Sequence, residues 1–73
     1  MKIILRLNNR NTSAHRFKEL DAALRDYSDI IARTWAGQIQ LRPEAPEPKI
    51  EELNEMLRRD FSDIIREARI VLE

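Results

Sequence analysis

Few side chains in this 73-residue sequence could do chemistry. His15 is the only histidine and cysteine is absent, so a metal site would need His15 together with carboxylates. Two pairs of aspartates have the spacing of neighbours on one helix surface, Asp26 with Asp29 and Asp60 with Asp63. Arginines stand beside both pairs, which favours solvated ion pairs over a metal site.

The sequence gives equally little support for a nucleophilic serine or for a phosphate-binding loop. Ser13, Ser28 and Ser62 lack a plausible base arrangement, and one glycine cannot build a glycine-rich phosphate loop. A chain of this length also has difficulty enclosing a substrate pocket. We therefore expect no enzyme activity, no cofactor and no bound metal.

Length and composition indicate one small domain. A chain this short buries only about 60% of the surface that its unfolded form exposes. Its longest apolar runs are three residues, such as Ile3 to Leu5, which excludes a membrane-spanning helix. Arg6 interrupts the only candidate for a signal-peptide core, so we expect a cytoplasmic protein.

The first half of the chain predicts a strand and a long helix. In residues 2–7, Ile3, Leu5 and Leu7 alternate with Lys2 and Arg6, with Ile4 as the exception, which is typical of a half-buried strand. Residues 13–36 carry apolar side chains at steps of three and four, which predicts one amphipathic helix. Gly37 stands where a left-handed helix cap is expected.

The second half predicts a short strand, a connector and another helix. Residues 38–42 (QIQLR) alternate and predict a second short strand. Three prolines make residues 43–48 a stiff, extended connector. Residues 48–72 repeat the helical stripe, and glutamates near the start favour the positive end of a helix dipole.

These elements predict an α+β fold in which two long amphipathic helices pack as a hairpin, joined by the N-terminal strand and the second short strand. The alternative is an all-α helical hairpin with an extended N-terminal arm.

A heptapeptide occurs twice, as residues 25–31 (RDYSDII) and residues 59–65 (RDFSDII), 34 positions apart. If both copies are helical, each forms an i,i+4 ion pair, Arg25 with Asp29 and Arg59 with Asp63. Two interpretations stay open. The copies are either two similar core helices or a duplicated recognition face for a symmetric partner or for self-association.

Charge is balanced over the chain, with thirteen basic and thirteen acidic residues, but it is uneven along it. Residues 1–18 hold five basic residues and no carboxylate, whereas residues 44–55 are acidic. This pattern favours contact with nucleic-acid phosphates or with a charged protein surface. Trp35 is either a core residue or an anchor for a partner, because indoles are enriched in binding hot spots. The partner-binding candidates are Lys2, Arg6, Arg10, His15, Arg16, Lys18, Trp35, Glu44 and Glu47.

The start MKIILRLNNR, the chain length and the general layout resemble the small RNA-polymerase-binding transcription regulators of Xanthomonas phages. The resemblance implies a protein that binds host RNA polymerase, opposes initiation and suppresses termination. No contact residue is carried over from it, so the candidates above come from charge and exposure alone.

The leading hypothesis is thus a non-catalytic regulator, monomeric or weakly dimeric, that binds a host protein such as RNA polymerase. One alternative is an electrostatic nucleic-acid-binding protein that uses the basic residues 2–18. Another is a self-associating helical module.

Overall fold

The computed structural model describes residues 1–8, 14–35 and 37–72. Within them the chain forms strand β1 (Lys2–Leu7), helix α1 (Ala14–Arg25), strands β2 (Ile31–Trp35) and β3 (Gln38–Leu41), helix α2 (Glu47–Asp60) and strand β4 (Ile65–Val71).

The four strands form one sheet in the order β2-β3-β1-β4, and every neighbouring pair is antiparallel. Strands β1 and β2 therefore run in the same direction with β3 between them, and β3 and β4 run in the same direction with β1 between them. Each helix connects two such parallel, separated strands. This is the split βαβ, or ferredoxin-like, topology.

The prediction of two long helices packed as a hairpin is wrong, and so is the all-α alternative, because the domain contains two shorter helices and a four-stranded antiparallel sheet. Helix α1 ends at Arg25 and α2 at Asp60, and the second half of each predicted helix is a turn followed by a strand. The apolar spacing of three and four continues past both helix ends because Tyr27, Ile30 and their counterparts also face the core. Two adjacent β-branched isoleucines then favour a strand.

Gly37 has a positive φ of 84°, but it lies in the connection between β2 and β3 and does not cap a helix. A left-handed residue suits such a tight connection. The peptide nitrogen of Leu5 donates to the carbonyl oxygen of Gly37 at 2.8 Å, which fastens this connection to β1.

The repeated heptapeptide marks the passage from helix to strand in both halves of the fold. In the first copy, the peptide nitrogens of Ile30 and Ile31 donate to the carbonyl oxygen of Tyr27, and in the second copy those of Ile64 and Ile65 donate to that of Phe61. The repeat therefore reflects two equivalent βαβ halves, the first formed by β1, α1 and β2 and the second by β3, α2 and β4. Neither copy is a core helix along its whole length.

The core lies between the helices and one face of the sheet. Alternate strand residues point into it, with Ile3, Ile39, Leu41 and Ala68 all buried. Helix α2 contributes four buried side chains, Ile50, Leu53, Met56 and Leu57, whereas α1 contributes only Leu20. The opposite face of the sheet carries no helix within the described residues, so it is left open to solvent.

Candidate functional site

The uncovered face of the sheet is the candidate site, and strand register defines its members. Residues paired across antiparallel strands share a face, so the pairs Lys2–Gln40, Ile4–Gln38, Arg33–Gln40 and Trp35–Gln38 lie opposite the buried Ile39. The same reasoning adds the partners of β1 on β4. The open face, as we call it, consists of Lys2, Ile4, Arg6, Arg33, Trp35, Gln38, Gln40, Glu67, Arg69 and Val71.

Trp35 is the most prominent apolar side chain of the open face. It is 49% exposed, although an indole is costly to leave in water. The guanidinium carbon of Arg33 lies 5.5 Å from the centroid of its ring. This cation–π contact stabilises both side chains, so the open face presents a flat aromatic ring beside a positive charge.

Basic side chains are concentrated on the sheet, and acidic ones on the rest of the molecule. The strands carry five basic residues and one acidic residue, whereas the remaining described residues carry seven basic and eleven acidic ones. The one acidic strand residue, Glu67, lies 4.0 Å from Arg6 in an exposed pair. The strands are therefore net positive, and the helices and connections taken together are net negative, an asymmetry that differs from the one along the sequence.

The middle of the open face offers hydrogen-bonding groups. Gln38 and Gln40 lie on β3 between the Trp35 strand and β1, and both are partly exposed. The Gln40 amide nitrogen donates to the carbonyl oxygen of Met1 at 3.3 Å, which orients that side chain. Carboxamides both donate and accept, so this row can read polar edges of a ligand.

The structure does not bring the predicted partner-binding residues onto one surface. Lys2, Arg6 and Trp35 share the open face. His15, Arg16 and Lys18 belong to α1. Glu44 lies on the connection into α2, and Glu47 is the first residue of α2, whereas Arg10 lies outside the described residues.

Arg16 holds the two halves of the molecule together. Its guanidinium binds the Asp63 carboxylate through two contacts of 2.8 Å and donates to the carbonyl oxygen of Asp60 at 2.7 Å. It also lies 4.8 Å from the centroid of the Phe61 ring. Hydrogen bonding between the partners lowers the pKa of Asp63 and raises the pKa of Arg16. These contacts give Arg16 a structural role within the domain.

A related contact stands at the opposite end of the two helices. Lys49 in the first turn of α2 lies 3.4 Å from Asp29 in the first heptapeptide copy. Arg16 near the start of α1 makes the equivalent contact to Asp63 in the second copy, at 2.8 Å. The predicted i,i+4 pairs are replaced by these contacts between distant parts of the chain. The adjacent Arg59 and Asp60 form a 3.0 Å pair instead.

The remaining titratable groups are dispersed. His15 and Glu19 are 2.8 Å apart on the exposed surface of α1. No group of three or more histidines and carboxylates in the described ranges could hold a metal ion. None of the helices in this part of the chain is long and apolar enough to cross a membrane.

Sequence reasoning missed Arg33, Gln38, Gln40 and Arg69 as members of the site. The signal lies in IARTW and IREARIV, where charged or aromatic residues stand two positions apart, Arg33 with Trp35 and Glu67 with Arg69. Treating both segments as helical hid their shared face.

Comparisons with protein-family models, with curated proteins and with solved structures give no match to this chain. The resemblance to phage transcription regulators therefore stays a prediction.

Proposed function

We propose that this chain is a non-catalytic protein that binds single-stranded nucleic acid on the open face of its sheet. The observation that carries the proposal is the exposed Trp35, stacked by Arg33, on a face that holds four basic side chains and one acidic one.

Each part of the open face suits one part of a single strand. Basic side chains neutralise phosphates, and an aromatic ring stacks on a base. Carboxamides such as Gln38 and Gln40 can hydrogen-bond the base edges that a duplex would hide. Four strands about 4.8 Å apart span about 14 Å, which fits two or three splayed nucleotides.

A double helix suits this face less well. Duplex grooves are read by an inserted helix or ribbon, whereas a nearly flat sheet reaches bases that are already unstacked. Helix α2 carries five carboxylates, which repel phosphates. We therefore expect weak binding to duplex DNA and tighter binding to single strands.

The test uses Trp35 as its own reporter, because the protein has one tryptophan. Stacking of a base on this ring should change its fluorescence during titration with a single-stranded RNA or DNA of about eight nucleotides. Trp35→Ala should weaken binding, followed by anisotropy of a labelled strand, by about 1–3 kcal/mol per stacked base. Trp35→Phe, which keeps a ring, should recover part of the loss.

A parallel binding experiment tests the RNA polymerase hypothesis. The purified protein is offered purified bacterial RNA polymerase that has been treated with nuclease and freed of bound nucleic acid. Binding to this polymerase, combined with no saturable binding to any single strand, would overturn the nucleic-acid proposal in favour of a regulator that contacts a protein surface.

A further inference from the structure

A cleft of about 470 Å³ lies at the outer edge of β4, next to the open face. Its charged lining consists of three arginines and one glutamate, Arg58 from the last turn of α2 and Arg66, Glu67 and Arg69 from β4. Ser62, in the turn between these two elements, lines the same cleft with a hydroxyl group. Arg69 also belongs to the open face, so the cleft continues that surface around the sheet edge.

These three arginines differ from several other cations of the fold, which form ion pairs with carboxylates. Arg16, Lys49 and Arg59 each contact a carboxylate of this chain at 3.4 Å or less. By contrast, no acidic side chain of the described residues lies within 4.0 Å of Arg58, Arg66 or Arg69. One carboxylate, Glu67, also lines the cleft, and it lies 4.0 Å from Arg6 of the open face. The three guanidinium groups therefore outnumber the acidic groups around the cleft and repel one another, and a bound anion relieves that repulsion.

The internal repeat supplies a comparison within the same molecule. The equivalent cleft at the β2 edge has a volume of about 240 Å³ and is lined by one arginine, Arg25, with Ser28 and Asp21. At the positions that match Arg66 and Arg69, 34 residues earlier, the first half has Ala32 and Trp35. The same backbone arrangement therefore exists without the arginine cluster, so the cluster is not a requirement of the fold.

We infer that the β4-edge cleft binds a terminal phosphate monoester of the single strand held on the open face. A terminal phosphate carries close to two negative charges, whereas an internal phosphodiester carries one, so it better matches the excess of positive charge that three arginines and Glu67 leave in the cleft. The Ser62 hydroxyl can donate a further hydrogen bond to it. This inference depends on the proposed function for the source of the phosphate, and the free anion tests the cleft separately.

The first measurement titrates the isotopically labelled protein with inorganic phosphate at constant ionic strength and follows its amide and arginine side-chain NMR signals. We expect saturable shifts confined to residues around Ser62, Arg66 and Arg69. Arg66→Gln and Arg69→Gln should each weaken the interaction at least tenfold. The matched control is Arg25→Gln in the β2-edge cleft, which should leave it unchanged.

The second measurement compares the same short strand with a hydroxyl or a phosphate at its 5′ end, and likewise at its 3′ end. One phosphorylated end should bind about tenfold more tightly than the hydroxyl form, and Arg66→Gln should abolish the difference.

The results separate the two proposals. Equal affinities for hydroxyl and phosphate ends, with no saturable phosphate shifts, would overturn the phosphate site and leave the single-strand interface standing. Saturable phosphate shifts without binding of any strand would overturn the proposed function and the terminal-phosphate assignment, and would identify the cleft as a site for a free phosphate compound. Shifts that Arg25→Gln reduces as much as Arg66→Gln would also overturn the site.

Discussion

Replacing Arg33 with glutamine should reduce both the affinity for a single strand and the dependence of that affinity on salt concentration. Arg33 is exposed on the edge strand β2, and its charge lies over the Trp35 ring. Glutamine keeps a long polar side chain and removes the charge. The substitution therefore tests phosphate contact with little disturbance of the fold.

The expected magnitude follows from the number of basic side chains on the open face, which is four, namely Lys2, Arg6, Arg33 and Arg69. If each neutralises one phosphate, the logarithm of the binding constant falls against the logarithm of salt concentration with a slope of about −2.8. Between about 50 mM and about 200 mM salt, affinity then falls roughly 50-fold. With three contacts the slope is about −2.1 and the fall is roughly 20-fold.

The assay is fluorescence anisotropy of a labelled single strand at several salt concentrations. Lys18→Gln is the matched control, because Lys18 is exposed on α1, away from the open face. The control should keep the wild-type slope. Identical slopes for the wild type, Arg33→Gln and Lys18→Gln would refute the phosphate contact, and a slope reduced equally by both substitutions would show that binding depends on net charge instead of on this face.

Three further predictions concern the fold itself, and chemical denaturation followed by tryptophan fluorescence checks each one. The side-chain oxygen of Asn54 is buried without a hydrogen-bond partner in the described chain, so Asn54→Leu should raise the free energy of unfolding by about 1 kcal/mol, and a decrease would show that the oxygen is bonded. Gly37→Ala should lower the free energy of unfolding by about 1–2 kcal/mol because of the positive φ. Steric overlap is not the cause, since the added carbon would meet only the Leu5 carbonyl oxygen at 3.6 Å. Gly37→Asn should lower the free energy of unfolding by less than Gly37→Ala does. The contact with Arg16 lowers the pKa of Asp63, so its contribution to stability is present above the ordinary value of 3.8 and is lost as pH falls through the lowered value. Asp63→Asn should therefore be less stable than the wild type at neutral pH and approach it on acidification, and a difference that stays constant with pH would contradict this role.

Local patterns in the sequence locate parts of the sheet but not its extent. Alternation is plain at Lys2–Leu7 and at Gln38–Leu41, where, apart from Ile4, apolar residues face the core and polar ones face away. At Ile31–Trp35 and Ile65–Val71, each strand begins with a bulge that breaks strict alternation. The first residue of each strand, Ile31 or Ile65, also continues the apolar stripe of the preceding helix. Residue spacing alone therefore favours a longer helix.

The members of the open face could not be predicted from local residue spacing for a different reason. Arg33 and Arg69 are far apart in sequence and face the same way only because β3 and β1 lie between their strands. The best available signal was the repeat itself. A heptapeptide that recurs at an interval of 34 residues, each time after a helical pattern and before a β-branched pair, indicates a duplicated βαβ unit.

The interleaving of the two halves has a consequence for how the molecule unfolds. Each ladder of the sheet, β2 with β3, β3 with β1 and β1 with β4, joins a strand of one half to a strand of the other. A half on its own would have no strand neighbour to receive its backbone hydrogen bonds, and the Arg16–Asp63 and Lys49–Asp29 contacts also cross between halves. Loss of either half therefore removes every ladder at once. Amide protons of all four strands should exchange with solvent in one concerted opening, as a single cooperative unit.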